Sequence, residues 1–211
     1  MNLLLVGSTG LVGSHVLDLA LESSQVEKVT VISRRPMKKS HAKLRVEVVN
    51  FDQLPEVSSW WKADAVICTL GTTIKKAGSK EAFRKVDFTY PLEVAKRART
   101  NGTSTYVLNS AMGANKDSRF FYNQVKGQLE TQLKEVGFRS LTFVRPGMIG
   151  GKREEFRLGE EVGKLVLGLL SPLLPKSLRI NHPRNIAKEL VEAALISKPG
   201  INIISSEKMS D

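Results

Sequence analysis

Tyr122 and Lys126 stand four residues apart in "FYNQVKG", a spacing that stacks two side chains on one face of a helix. A free phenol, with a pKa of about 10, is a poor acid–base group at neutral pH. An adjacent ammonium favours the phenolate and draws it toward the working range. Ser110 closes the run "STYVLNS", and a hydroxyl at the carboxyl end of a strand stands where open α/β sheets take ligands. It could donate to a substrate carbonyl oxygen beside Tyr122. Tyr-x-x-x-Lys alone also arises as an ordinary surface helix pair. Order along the chain gives it meaning: a glycine turn, a basic second-strand end, a strand-end serine, then Tyr and Lys on the next helix.

The glycine turn is "LLLVGSTGLVGSHVL", with Gly7, Gly10 and Gly13 where a first strand passes into a first helix. A helix start offers unpaired N–H groups and partial positive charge to an anion. Glycine permits the tight turn, close approach of a pyrophosphate, and close packing of helix on strand. The pattern is G-x-x-G-x-x-G rather than G-x-G-x-x-G, and its place after a buried strand favours a dinucleotide. About 20 residues beyond the last glycine comes "SRRP", Ser33 to Pro36. An NAD site wants a carboxylate there. Arg34 and Arg35 would instead grip a 2′-phosphate through forked hydrogen bonds, which favours NADP(H) over NAD(H). Asp52, in "NFD", could accept from an adenine amino group or be an ordinary turn aspartate.

Such a set needs a frame. Residues 2–6 form the apolar run of a doubly buried parallel strand. Helical spacing follows over 11–23, where Val12, Val16, Leu17, Leu19 and Ala20 share a face. Further strands are predicted at 28–33, 44–50, 63–71, 104–111, 140–147 and 201–205. A long helix is predicted over "KEAFRKVDFTYPLEVAKRARTNG", with Pro91 bending it or marking its real first turn. Others are predicted over 121–137, over "LGEEVGKLVLGLL", and over "HPRNIAKELVEAALIS" with Pro183 in the first turn. Strands and helices alternating at this pitch make βαβ units. The expected fold is α/β, a Rossmann-like doubly wound parallel sheet flanked by helices. One domain, 1–211, is expected, with 148–200 contributing a small substrate-side lobe.

Composition, 41% apolar and 25% charged, excludes disorder. The net charge of +11 admits a nucleic-acid, membrane or anionic small-ligand partner. Its basic residues form separate short clusters, so a basic soluble surface is preferred and nucleic acid is disfavoured. Trp60 and Trp61 could stack on bases, yet such a pair more often packs in a core or rim. The one cysteine, Cys68, excludes an internal disulfide, fits a reducing compartment, and reads as a small buried hydrophobe. "MNLLLV" lacks the positive start of a signal peptide. No stretch approaches the roughly 20 apolar residues of a membrane span; "KLVLGLLSPLLP" is short and carries two prolines. A soluble cytoplasmic protein without a metal site is expected.

Through "GSTGLVG", "VISRR", "CTLGTTIKKAGSKEAFRKVDFTY", "LNSAMGANKDSRFFYNQVKGQLE" and "VRPGMIGGKREEFR", the chain resembles the short-chain dehydrogenase/reductase superfamily. Within it the similarity is to the atypical branch containing the HIV Tat-interacting protein and its bacterial relatives. The resemblance implies that Gly7, Ser8, Thr9, Gly10, Leu11 and Val12 cradle the pyrophosphate, with Arg34 and Arg35 flanking the adenosine phosphate. It further implies that Leu70, Gly71 and Thr72 line the coenzyme. Tyr122 and Lys126 match acid–base and ribose-holding residues, Ser110 is their partner, and Pro146 and Gly147 approach the nicotinamide. Where many members carry Asn in the helix after the fourth strand, this chain has Asp87, a carboxylate that would alter a proton relay. The function expected is an NADP(H)-dependent oxidoreductase acting on a small carbonyl or alcohol substrate. The alternative is an NADP(H)-sensing regulator or scaffold that binds a protein partner. Helices 79–100 and 118–137 leave monomer and homodimer both open.

Overall fold

The structure is a computed structural model that describes residues 1–150 and 179–210. The first half runs β1 (Asn2–Val6), α1 (Leu11–Glu22), β2 (Lys28–Ser33), β3 (Leu44–Val48) and β4 (Ala65–Cys68). Then come the short helices α2 (Ile74–Ala77) and α3 (Lys80–Arg84), α4 (Tyr90–Thr100) and β5 (Thr105–Asn109). α5 (Phe121–Glu135), β6 (Ser140–Arg145), α6 (Pro183–Ile196) and β7 (Gly200–Ser205) complete it. The strands form one sheet in the order β3-β2-β1-β4-β5-β6-β7, and every neighbouring pair is parallel.

Four consecutive residues of β1 are buried, as a strand covered on both faces requires. Its side chains alternate between those faces. Leu3 and Leu5 pack with Val16 and Leu17 of α1 and with Ile186 and Leu190 of α6. Leu4 and Val6 pack with Val94 and Ala98 of α4 and with Leu129 and Leu133 of α5. Cys68 is fully buried among the latter. Helices thus cover both faces, and the strand order reverses between β1 and β4. That reversal opens a crevice at the carboxyl edge of the sheet.

Several expected elements come out shorter. β4 ends at Cys68: the Thr69 N–H makes the last ladder bond to the Val6 carbonyl at 2.8 Å, and its hydroxyl donates to the same oxygen at 2.9 Å. β6 ends at Arg145, since Pro146 has no N–H to continue it. The long helix expected from residue 80 onward contains a π turn over Lys85–Thr89, where the Tyr90 N–H reaches back five residues to the Lys85 carbonyl. Pro91 cannot donate to the carbonyl four residues before it, and the wider turn absorbs that mismatch. α2 was not expected; the Thr73 hydroxyl caps its start, and left-handed Gly78 ends it. Trp60 and Trp61 are buried, with the Trp61 indole donating to the Pro55 carbonyl at 2.9 Å, so neither is placed to stack on a base. The helix expected over "LGEEVGKLVLGLL" and most of the 148–200 lobe lie outside the described residues. Among those described, no helix is long and apolar enough to cross a membrane.

Candidate active site

At the crevice, Gly7 adopts φ +88°, and a Cβ there would stand 2.6 Å from the Thr69 carbonyl carbon. A Cβ at Gly13 would stand 2.1 Å from the Gly7 carbonyl oxygen. The turn therefore closes only with hydrogen at both positions. α1 begins at Gly10 with no side-chain cap and no acidic residue in its first turn, leaving its opening N–H groups to an outside anion. Ser8 is buried and donates to the Met37 sulfur at 3.4 Å, while Thr9 and Gly10 are exposed. These features fit a pyrophosphate-bearing coenzyme. Val6 pairs with Ile32 on one side and Cys68 on the other. The register therefore brings the β2 end, with Ser33, Arg34 and Arg35, and the β4 end, with Leu70, Gly71 and Thr72, to either side of the turn. Arg34 and Arg35 are exposed and make no ion pair among the described residues. Asp52 is already engaged: its Oδ1 accepts from the Tyr90 hydroxyl at 3.0 Å and pairs with Lys85 at 2.7 Å.

Tyr122, Lys126 and Glu130 follow one another at intervals of four on α5. Tyr122 is partly exposed, its ring 6.0 Å from that of Phe83. Lys126 points inward. Its Nζ lies 2.9 Å from Asp87 Oδ1, and the two side chains are 3% and 1% exposed. Burial pushes the Lys126 ammonium toward releasing its proton. The Asp87 carboxylate, helped by Tyr122, outweighs burial and holds its pKa above the ordinary lysine value. Asp87 projects from the π turn, and its Oδ2 accepts from the Thr72 N–H at 2.8 Å.

Ser110, just beyond β5, is buried, and its hydroxyl donates to Glu130 Oε1 at 2.6 Å. Arg145, at the end of β6, grips the same carboxylate side-on, Nε to Oε1 at 3.0 Å and Nη2 to Oε2. The single Ser110 proton is thus engaged by Glu130. That differs from the expected donation to a carbonyl oxygen. Ser110, Tyr122, Pro146 and Gly147 line one open cleft of about 120 Å³ with Ala111, Met112 and Ile149. The Gly147 N–H is fixed by the buried Asn181 Oδ1 at 2.7 Å, and Asn181 in turn donates to the Ser206 carbonyl. Glu130, Arg145 and Asn181 went unnoticed in the sequence. For Glu130 a signal existed, the next step of four beyond Lys126; for the other two there was none.

A doubly wound parallel sheet with a glycine turn at its switch point is a Rossmann-like fold. Residues 7–164 match the NAD(P)H-binding family, and the chain belongs to that family. It is 37% identical over 219 aligned positions to protein fmp52, mitochondrial, of Emericella nidulans, covering 99% of this chain and 93% of the relative. The corresponding FMP52 protein of Candida albicans is 32% identical over 188 positions, 82% of each chain. Among solved structures, MoeE5 in complex with UDP-glucose and NAD superposes with TM-score 0.74 at 15% identity, over 96% of this chain and 75% of that one. The oxidoreductase ylbE of Lactococcus lactis does so with TM-score 0.65 at 19% identity, over 99% and 94%. Both share the fold. The expectation of a cytoplasmic protein is corrected by the relatives, which are named as mitochondrial. A lone cysteine separates oxidising from reducing surroundings and does not separate one reducing compartment from another.

Proposed function

We propose that this chain is an NADP(H)-dependent oxidoreductase of the atypical short-chain dehydrogenase type, akin to the HIV Tat-interacting protein, acting on a small carbonyl or alcohol. Residues 1–211 act as one unit in this reading, and α6, which the expected substrate-side lobe 148–200 included, belongs instead to the core against α1 and β1. The observation that carries it is convergence: Ser110 and Tyr122 line one cleft, Lys126 lies one helical turn from Tyr122, and the cleft shares the sheet's carboxyl edge with the uncapped start of α1. The Gly7–Val12 turn would hold the pyrophosphate. Arg34 and Arg35 would take the 2′-phosphate, and Leu70, Gly71 and Thr72 the middle of the coenzyme. Bound there, the nicotinamide supplies or takes the hydride. Tyr122 gives the proton to the substrate oxygen in reduction and removes it in oxidation. Lys126 holds the ribose, and Ser110 orients the substrate oxygen once its hydroxyl turns from Glu130.

Tyr122→Phe removes the proton-carrying atom and leaves the Gly7–Val12 turn, Arg34 and Arg35 in place. It should abolish NADPH-dependent reduction of a ketone and aldehyde panel while NADPH titrates with nearly the parent affinity. Turnover at the parent rate would end the assignment of Tyr122. A second reading, an NADP(H)-sensing regulator with little catalysis, is favoured by the Ser110 proton being held by Glu130. Unequal binding of NADP+ and NADPH without turnover of any panel member would support it.

A further inference from the structure

Resting on the coenzyme assignment above, we propose that Asp87 is a coenzyme-selecting residue. It cancels the charge of Lys126 beneath the nicotinamide end of the site, so that the oxidised coenzyme is accepted on even terms with the reduced one.

Three observations meet at Asp87. Lys126 Nζ and Asp87 Oδ1 form a pair 2.9 Å apart with almost no exposure. Oδ1 has the Lys126 ammonium as its one polar neighbour among the described residues, while Oδ2 takes the Thr72 N–H. Above the pair lies Gly71, which is exposed. A Cβ at that position would stand 3.4 Å from Oδ1 and 4.0 Å from Nζ. Beyond its chain neighbours, no other atom of the described residues lies within 4 Å of that position, so a ligand passing over Gly71 feels the net charge of the buried pair without touching either member.

Stability does not explain the pair. Burying two charges costs several kcal/mol in desolvation, and apolar replacements of similar volume are often as stable or better. Charge balance does explain it. The nicotinamide ring is cationic when oxidised and neutral when reduced. A lone buried ammonium one turn from Tyr122 would repel the oxidised ring and leave the reduced ring alone. One uncompensated unit charge within about 10 Å, at the effective dielectric of a protein interior, changes affinity roughly tenfold. Asp87 removes that bias.

The experiment titrates NADP+ and NADPH separately, at pH 6, into the parent chain, Asp87→Asn, Lys126→Met and the Asp87→Asn/Lys126→Met double variant. The readout is the ratio of the two dissociation constants, which cancels any loss common to both forms. Asp87→Asn should weaken NADP+ relative to NADPH by about tenfold. Lys126→Met should move the ratio the other way, and the double variant should return it to within about twofold of the parent. If Asp87→Asn does not fold, Lys126→Met and the double variant still decide the matter, since only charge separates them. A ratio that ignores both residues overturns the role of Asp87 and leaves the coenzyme assignment standing. A parent chain that binds neither nucleotide overturns both.

Discussion

Two carboxylate–cation pairs flank the cleft, and α5 gives one member to each. The inner pair, Lys126 with Asp87, is dry on both sides. The outer pair, Glu130 with Arg145, has a dry carboxylate and a guanidinium 28% exposed. The difference is one of purpose. The outer cation can be solvated if its partner goes, and its carboxylate acts on a third group, aiming the Ser110 proton. Neither inner member reaches water, so only the other offsets the desolvation cost of its charge. One pair directs a hydrogen bond; the other sets a charge.

Breaking the pairs should expose that asymmetry. Asp87→Ala strands a buried ammonium and should cost about 3–5 kcal/mol. Glu130→Ala leaves Arg145 near solvent and the Ser110 hydroxyl without its acceptor, for roughly 1–3 kcal/mol. Urea unfolding of both variants measures the order. Equal losses would mean that the outer pair is as dry as the inner one.

Alkaline pH sharpens the contrast, because only one of the two cations can discharge. An arginine stays charged throughout. Lys126 has a folded-state pKa raised above its ordinary 10.5. The stability it contributes is complete below that value and is lost as pH climbs through the folded one. Tyr106 acts in the same direction: burial lifts its phenol well above 10.0, so the unfolded chain sheds that proton first. Unfolding free energy should therefore begin to fall near pH 10 and steepen above about pH 11, toward roughly 1.4 kcal/mol per pH unit for each such proton. Tyr106→Phe and Lys126→Met should each flatten the fall, and Glu130→Gln should leave its slope unchanged. A slope change in Glu130→Gln would show that the outer pair titrates too.

What the chain discloses before folding is local. Tyr122 and Lys126 are legible because a spacing of four is a property of one helix, and Ser110 because it ends an apolar run. The glycines and the βαβ alternation are legible for the same reason, and with them the doubly wound parallel sheet. Glu130 continues the same series of four, yet its meaning depends on Arg145, which β6 delivers from across the sheet. Asp87 stands out in sequence as an unusual carboxylate. Its burial against Lys126 depends on the π turn before Pro91 and on the bare approach at Gly71, neither of which a linear pattern encodes. Asn181 is further removed: it fixes Gly147 from beyond a long stretch of chain. Strand ends are less legible, because ladder pairing depends on the neighbouring strand, as where β6 stops before Pro146.

The smallest effect probes the shape of the outer pair. Arg145 binds Glu130 through two parallel N–H groups, a geometry that a lysine cannot copy because its ammonium is a point charge. Arg145→Lys keeps the charge and loses the fork. Since the guanidinium is partly exposed, water screens much of the difference, and the loss should be about 1 kcal/mol or less in urea unfolding. If the fork also pins the carboxylate that holds Ser110, combining Arg145→Lys with Ser110→Ala should cost less than the two single losses added together. Strict additivity would mean that Glu130 holds Ser110 without help from Arg145. The outer pair would then be two separate contacts sharing one carboxylate, and the contrast with the mutually dependent inner pair would be sharper still.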